Sequence, residues 1–347
     1  EEGFSEILRN NMAMVRRRMK TPELKFEIVT VGKKSKTDVA ICYLDTAADK
    51  ELLAEVKKRL NRIEIDAVLD SGYIQPFLDT PSASLFPSVG TTERPDTLCG
   101  KILEGRIGIL VDGTPYALTV PLLFSEHFQS LDDYTVNPFF ATFIRCIKYL
   151  SFFLAVFVSG TYVAICEHNP ELFPAAILHK VFDSGIVTPF PNMWEALIIH
   201  VIYEIMREAG LRLPKSVGHA VSIVGGLVIG EAAVTAGLIG APMIIVVAVT
   251  ALASFVVPTL YYPCALLRFA GIFIGGLCGT PGMVLFAAVI ITAVCGHNVY
   301  GVPLSAPVSP FDRFSVRDTL FRESWRWLSK KTVKIQNLHG SKEERRP

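Results

Sequence analysis

The sequence predicts an α+β soluble N-terminal domain followed by an all-α polytopic transmembrane domain. The chain of 347 residues has a mean hydropathy of +0.39, which is high for a soluble protein. Residues 232–267 and 269–296 contain no Asp, Glu, Lys or Arg, and each run exceeds the ~20 residues that a membrane-crossing helix needs. The first third of the chain instead mixes charged helical patterns with short β-rich runs. The predicted divisions are a soluble domain at 1–135, a transmembrane domain of four to six segments at 136–300, and a basic tail at 301–347.

The soluble domain is predicted to combine helices with a mixed β-sheet. Residues 24–31 (LKFEIVTV) and 37–44 (TDVAICYL) are rich in β-branched and aromatic residues and flank the loop GKKSK, as in a hairpin. Residues 105–120 predict a second hairpin, because Asp112-Gly113 is a tight-turn pair between two apolar runs. Helices are predicted at residues 1–20, 47–61, 70–80 and 95–104, the last with Pro95 in its first turn.

The first membrane helix is predicted over residues 139–165. Asn137 and Pro138 are favoured residue types at the N-cap and first turn of a helix. Arg145 and Lys148 lie near the start of this helix, and we expect both side chains to extend their charged ends to the lipid headgroups.

Further apolar segments follow a polar loop at residues 166–190. Residues 217–239 and 241–262 are predicted to be two spans that are separated at Gly240-Ala-Pro. Two shorter apolar runs between residues 264 and 300 are joined at Gly279-Thr-Pro-Gly. They form either two thin spans or a re-entrant hairpin, and the hairpin requires that protein surrounds it.

Residues 193–210 predict an amphipathic helix, unlike the uniformly apolar spans. Its polar side includes His200, Glu204, Arg207 and Glu208. Such a helix lies at the membrane surface or lines a hydrated space within a helical bundle, where it could act as a gate.

Glu231 is a lone carboxylate within the long apolar stretch GGLVIGEAAVTAGLIG. A charge at the centre of a bilayer costs at least ~3 kcal/mol, so this residue requires an explanation. It is neutral and hydrogen-bonded, or it pairs with a cation such as Arg207 or His219, or it faces water. In the third case, Glu231, Thr235 and Ser222 line or flank an ion path, where a ring of carboxylates would attract cations.

Small residues recur at helical spacing around Glu231. They let helix backbones approach closely, which is how helices associate in a membrane. The contact they mediate is either within one bundle or between subunits of a homo-oligomer. The four residues assigned to this role are Gly226, Gly230, Ala233 and Gly237.

The sequence contains no recognised catalytic, nucleotide-binding or metal-binding motif. We therefore predict no catalytic residue, no metal site, no cofactor and no enzymatic activity. The seven cysteines are scattered without a C-x-x-C pair, which favours neither a disulfide framework nor a zinc site. The net charge of +1 gives no global field that would favour a nucleic acid as partner.

The tail from residue 301 is basic and aromatic. Residues 311–331 (FDRFSVRDTLFRESWRWLSKK) predict an amphipathic helix on an anionic membrane surface. The positive-inside rule places this tail in the cytoplasm. The chain shows no secretory signal, so we expect the N-terminal domain to be cytoplasmic as well.

The ordered series of segments resembles a known family along all 347 residues. It is similar to the A subunit of GerA-type nutrient germinant receptors of endospore-forming bacteria. The stretches that carry the resemblance are GFSEILRNNMAMVRRR (3–18), ERPDTLCGKILEGRIGILVDGTPYALTVPLLFSEHFQSLDDY (93–134), NPFFATFIRCIKYLSFFL (137–154), EALIIHVIYEIMREAGLRLP (195–214) and SVGHAVSIVGGLVIGEAAVTAGLIGAPMIIVVAVTALASFVVP (216–258).

The resemblance implies a multi-pass protein of the spore inner membrane that helps nutrients to trigger germination. It implies a transporter-like B subunit and a lipoprotein C subunit as partners. It further implies that A subunits assemble, as a pentamer, into a channel for monovalent cations. The alternatives are a non-conducting scaffold that relays a signal, or a secondary transporter.

Two departures from the family pattern are expected. Relatives carry more soluble sequence before GFSEILRNN, so we expect this chain to be truncated at its N-terminal end. Relatives often have an uncharged residue at the position of Glu231. A role for a carboxylate at this position would therefore not extend to the whole family. A stage V sporulation membrane protein resembles the same family and is the alternative identification.

Overall fold

The computed structural model describes residues 2–79, 85–175, 178–179, 181, 185, 188–214, 230–312, 315–324, 334–338 and 341. The chain forms two compact units. The first comprises residues 1–145 together with 292–347, and the second comprises residues 146–291. This division differs from the predicted one, because the C-terminal segment belongs to the same unit as the N-terminal domain.

The first unit contains a five-stranded sheet in the order β1-β2-β4-β5-β3. All four pairings are antiparallel, so the prediction of a mixed sheet is wrong. Both predicted hairpins are present, but the spacing of apolar residues does not encode the relative direction of β2 and β4. The strands are β1 (Leu24–Val31), β2 (Thr37–Leu44), β3 (Gly90–Thr92), β4 (Ile107–Val111) and β5 (Ala117–Val120).

Helices cover both faces of this sheet. They are α1 (Leu8–Arg18), α2 (Lys50–Asn61), α3 (Ser71–Leu78) and α4 (Pro95–Leu103). Ile41 and Ile109 belong to the apolar cluster that includes α2 and α3. Ala40 and Leu110 belong to a second cluster that includes α1 and α4. Burial on both faces explains why β2 and β4 are nearly continuous apolar runs.

Local caps set where the helices begin. Asp49 accepts a hydrogen bond from the Glu51 amide at 2.8 Å, so α2 starts at Lys50 and not at residue 47. Pro95 occupies the first turn of α4, as the sequence predicts.

The second unit is helical. Its helices are α5 (Pro138–His168), which begins in the first unit, α6 (Asn192–Arg212), α7 (Ala241–Val256) and α8 (Tyr261–Gly296), which ends in the first unit. Asn137 caps α5 by accepting from the Phe139 amide at 3.1 Å. Among the described residues, two helical segments are long and apolar enough to cross a membrane, Pro138–His168 and Pro258–Gly296.

The structure corrects the predicted span over residues 241–262. Helix α7 ends at Val256, because Pro258 lacks an amide donor and disfavours a helical conformation at the preceding residue. The predicted break near Gly279 is present inside α8, where Gly279 has φ 64° and ψ −155°.

The described part of the tail packs within the first unit, against the N-terminal domain. Val302, Ala306, Ile335 and Leu338 form a buried cluster with Leu123.

The structure also changes the predicted amphipathic helix over residues 311–331. The described residues 315–324 contain one short 3₁₀ helix, Ser315–Asp318, and no α-helix, while residues 325–333 lie outside the described part. The carbonyl oxygen of Asp318 accepts from the Gln129 side chain at 2.7 Å, a tertiary bond that replaces a helical one. Arg145 does not reach the headgroups as predicted. Its side chain is fully buried in ion pairs with Asp133 and Asp318.

His127 gives the first unit a testable dependence on pH. Its ring is 8% exposed and packs against the Phe124 ring, and burial lowers its pKa to about 4. The unfolded chain binds this proton near pH 6.5, so protonation favours unfolding between pH 6.5 and 4. We expect His127 to contribute a loss of about 2 kcal/mol in unfolding free energy between pH 7 and pH 5. Urea titrations of the wild type and His127→Asn at both pH values measure it, and an equal pH dependence in both proteins would contradict it.

Candidate functional site

Part of the predicted polar side of α6 faces the interior of the second unit. His200 is fully buried and its Nδ1 lies 2.8 Å from the carbonyl oxygen of Ala196. Its Nε2 lies 3.1 Å from Ser159 Oγ on α5 and 3.4 Å from Thr250 Oγ1 on α7. His200 therefore joins three helices through hydrogen bonds, and neither headgroups nor open water surround its ring.

One turn further along α6, Glu204 meets a buried arginine. Arg268 on α8 is 0% exposed, and its Nη2 lies 3.5 Å from Glu204 Oε1 and 3.4 Å from Ser254 Oγ. The hydroxyl of Tyr261 donates to Glu204 Oε2 at 2.6 Å. Within the described part of the chain, Nε and Nη1 of Arg268 have no hydrogen-bond partner. The cluster thus holds a guanidinium whose ionic partner is one partly exposed carboxylate.

Arg207 belongs to the same cluster. Its guanidinium lies over the ring of Tyr261, 3.4 Å from the centroid, and 4.0 Å from Glu204 Oε2. A cation over an aromatic face is stabilised by the ring quadrupole. Glu208 is separate from this cluster, because it is exposed and pairs with Arg212 at 2.8 Å on the same helix. The predicted polar face therefore divides into a buried part and a solvated part.

Arg268 is not among the residues predicted from the sequence to form a site. The signal was available, because Arg268 is the single charged residue between positions 232 and 296. An ionisable residue within a long apolar segment is a functional-site hypothesis by itself. The sequence did not indicate its partner, since Glu204 lies 64 residues away.

A buried carboxylate joins α6 to α7. Glu195 is 2% exposed and accepts from the Gly240 amide at 2.6 Å. Gly240 is the N-cap of α7, so the carboxylate compensates the positive end of that helix. This contact fixes the start of α7 against α6. The spacing of residues in the sequence does not predict it.

Glu231 and Thr235 lie in the helical residues 230–235, which are the first described residues after 214, and both side chains are exposed. Of the cations considered as partners, Arg207 is engaged with Glu204 and Tyr261, and His219 lies outside the described residues. Ser222, the third residue assigned to the ion path, also lies outside them.

The helical segment ends earlier than predicted. Gly237 has φ 67° and its amide donates to the Val234 carbonyl, while the Leu238 amide donates to the Ala233 carbonyl at 3.0 Å. These bonds form a Schellman cap, in which a glycine in the left-handed region ends the helix. Gly237 therefore serves as a C-cap, which corrects the predicted continuation of a span to residue 239.

The other small residues have different environments. Ala233 packs against the apolar cluster that contains Ile239 and Met243. A Cβ added to Gly230 would meet Ile244 at 3.9 Å, an ordinary contact, so packing among the described residues does not require a glycine there. Gly226 lies outside the described residues.

The close helix crossing in the second unit involves glycines other than the four predicted packing residues. A Cβ on Gly160 of α5 would come within 2.6 Å of the Gly271 carbonyl oxygen on α8, and a Cβ on Gly275 would collide with the Gly160 backbone. Gly271 and Gly275 are four residues apart, the spacing of a small-xxx-small motif. Neither glycine is among the predicted packing residues, which all lie around Glu231.

The described residues contain no group of three or more His, Cys, Asp or Glu side chains arranged to hold a metal ion. In the second unit, helices α5, α6, α7 and α8 share a set of buried polar and charged groups. Such a set can hold helices in one arrangement or change partners when they move.

Comparisons with known proteins place this architecture in a family. The family model for the Bacillus/Clostridium GerA spore germination protein matches residues 1–334. Spore germination protein KA of Bacillus subtilis is 41% identical over 95% of the chain and 61% of its own length. The uncharacterized membrane protein YfkQ of the same organism is 39% identical over 99% of the chain and 68% of its own length. Spore germination protein A1 of B. subtilis is 35% identical over 92% of the chain and 67% of its own length.

A solved structure also matches. The N-terminal domain of the A subunit of the Bacillus megaterium spore germinant receptor GerK3 is 44% identical, covering 35% of this chain and 98% of that domain, with a TM-score of 0.30. The chain spans about two thirds of the length of the curated relatives. With the family model matched from residue 1 to residue 334, the chain belongs to the GerA spore germination protein family of Bacillus and Clostridium.

Proposed function

We propose that the chain acts as the A subunit of a nutrient germinant receptor and helps to trigger spore germination. Membership of the GerA family supports this role, and so do the names of its relatives, several of which are spore germination proteins. The proposed location is the spore inner membrane. The proposed partners are a transporter-like B subunit and a lipoprotein C subunit.

The proposed topology is multi-pass with both termini in the cytoplasm. Two helical segments within the described ranges are long and apolar enough to cross a membrane. Both ends of the chain contribute to the first unit, which supports their location on one side.

The proposed mechanism is nutrient-gated conduction of monovalent cations through a homo-oligomer, with a pentamer as the expected state. The observation that carries this proposal is the exposure of Glu231 and Thr235 on one apolar helical segment. Their neighbours Ala232 and Ala236 are exposed as well, so one protomer leaves most of this surface uncovered. A carboxylate facing lipid is costly, whereas one facing water in a ring of subunits attracts cations. Ser222 is proposed to flank the same path, and Gly226 and Gly230 to pack between subunits.

The test is Glu231→Gln in the full-length protein assembled with its B and C partners in lipid vesicles. We expect cation conductance to fall about fivefold, because a unit charge ~4 Å from a cation in water contributes about 1 kcal/mol. Glu208→Gln is the matched control, since it removes an exposed carboxylate from α6 that pairs with Arg212. A normally assembled Gln variant with unchanged conductance and selectivity would remove Glu231 from the ion path.

Oligomeric state is the first measurement to make. Electron microscopy of the full-length protein in nanodiscs, assembled with its B and C partners, should show a ring with the segment at residues 230–235 near its axis. Particles with the B and C partners and one copy of the A subunit would instead favour the non-conducting scaffold.

The break in α8 favours a secondary transporter as the other candidate. Interrupted helices form the substrate sites of many transporters, and Gly279 interrupts α8 next to Thr280, whose hydroxyl donates to Asn169 at 2.7 Å. A transporter saturates with substrate and has a low turnover, whereas a channel conducts in proportion to the ion gradient. Flux measured against substrate concentration separates the two.

A further inference from the structure

A buried polar cluster joins the start of α5 to the C-terminal segment Ser315–Arg322, which we call the latch segment. Arg145 lies on the second turn of α5 and is fully buried. Its Nε donates to Asp133 Oδ2 at 2.9 Å, and its Nη1 donates to Asp318 Oδ1 at 3.0 Å. Tyr134 donates to the other oxygen of Asp318 at 2.6 Å. One arginine thus connects α5 with carboxylates from two separate parts of the chain.

Further bonds hold the latch segment at its C-terminal end. The backbone amide of Arg322 donates to Thr142 Oγ1 on α5 at 3.1 Å, and its Nη2 donates to the Tyr134 carbonyl oxygen at 3.1 Å. Arg145 Nη1 also donates to the carbonyl oxygen of Asp318 at 2.5 Å. The first two turns of α5 are therefore fixed by side chains and backbone of the latch segment.

Loss of Asp318 from this cluster is destabilising. Removal of one charge from a buried ionic cluster costs free energy, because the remaining charges are less well compensated, and Arg145 would keep Asp133 alone as its carboxylate partner. Arg145 has no exposed surface through which water could take over from Asp318. Burial raises the pKa of the Asp318 carboxyl, whereas Arg145 acts to lower it.

The surroundings of the latch segment are not close-packed. A cavity of about 40 Å³ lies beside it, with Glu104, Arg106 and Asp318 among its lining residues. This volume holds a few water molecules at most. This cavity next to the ion pair leaves room for the Asp318 side chain to move away from Arg145.

We propose that the latch segment is a conformational switch that sets the position of the first two turns of α5. When Asp318 leaves Arg145, the start of α5 is released, and the change passes along α5 because the same helix continues to His168. The contact between the latch segment and Arg145 thereby controls the position of α5. Only the germination readout below rests on the proposed receptor function.

The structural test uses hydrogen exchange of the full-length protein in nanodiscs. Asp318→Asn keeps the size of the side chain and removes the charge that pairs with Arg145. We expect exchange to rise about tenfold, or about 1.4 kcal/mol, at the start of α5 as well as in the latch segment. Exchange in β2 and β4 should not change. Faster exchange in the latch segment alone, or at neither site, would overturn the proposal.

A matched control lies immediately beyond the latch segment. Glu323 pairs with Arg317 at 3.5 Å, and both side chains are about one third exposed. Glu323→Gln removes this surface pair and should leave exchange at α5 unchanged. Equal effects of the two variants would overturn the proposal, because a switch requires the buried pair specifically. If Asp318→Asn does not accumulate, Tyr134→Phe removes a single hydrogen bond to Asp318 and should change exchange at α5 in the same direction.

Spores provide the second readout. Asp318→Asn should change the nutrient concentration needed for germination, while germination by a nutrient-independent route stays normal. A changed exchange pattern with normal nutrient response would overturn the control function of the switch. Loss of Glu231-dependent conduction with a normal exchange pattern concerns the channel alone, so the two proposals fail separately.

Discussion

Glu204→Gln should destabilise the second unit by about 3–5 kcal/mol, because it leaves the buried charge of Arg268 without its carboxylate. Arg268 has no exposed surface, and its other described partner is the hydroxyl of Ser254 at 3.4 Å. Arg268→Met should have a smaller effect, since Glu204 is partly exposed and keeps Tyr261 and Arg207 as partners. The double variant should be more stable than Glu204→Gln alone.

Unfolding of the purified full-length protein in detergent, titrated with dodecyl sulfate, measures this difference. Glu208→Gln is the control on the same helix. Its ion pair with Arg212 is exposed, so the change should stay below about 0.5 kcal/mol. The interpretation of a buried pair is wrong if Glu204→Gln unfolds within about 1 kcal/mol of the wild type, or if the double variant is less stable than both single variants.

Gly160→Ala should destabilise the crossing of α5 and α8 by about 3 kcal/mol, the upper end of the usual cost of overpacking. The added Cβ would lie 2.6 Å from the carbonyl oxygen of Gly271. A backbone atom cannot rotate away as a flexible side chain can, so the two helices must separate. Gly275→Ala should act in the same direction, because its Cβ would collide with the backbone of Gly160.

Gly296 supplies the control for this prediction. It has open space around the Cβ position, so Gly296→Ala should leave the unfolding midpoint nearly unchanged. Equal midpoints for Gly160→Ala and Gly296→Ala would contradict a close crossing of α5 and α8 at Gly160.

The sequence predicted the elements of the first unit well because local patterns encode them. β1 and β2 have the predicted bounds, since a polar loop separates two dense β-rich runs. Asp112-Gly113 gave the turn between β4 and β5 for the same reason. Local patterns do not encode the relative direction of paired strands, because the pairing of β2 with β4 joins residues about 70 positions apart.

Charged residues were the main source of error. Arg145 in an apolar helix was assigned to the headgroups, yet it is buried against Asp133 and Asp318. Sequence spacing shows that a charge occurs in an apolar context, but it does not show where the compensating charge comes from. Asp318 is 173 residues away from Arg145, and Glu204 is 64 residues away from Arg268.

The contribution of both chain ends to the first unit has a consequence for biosynthesis. A ribosome completes the sheet strands by residue 120, but Ile335 and Leu338, which pack on Leu123, emerge more than 200 residues later. Until then, Arg145 lacks Asp318 and the surface of Leu123 is uncovered. Contacts of such large sequence separation form slowly, and uncovered apolar surface favours aggregation. The nascent chain therefore needs either rapid membrane insertion or a chaperone during synthesis of residues 146–291, and truncation before Asp318 should yield a protein that does not mature.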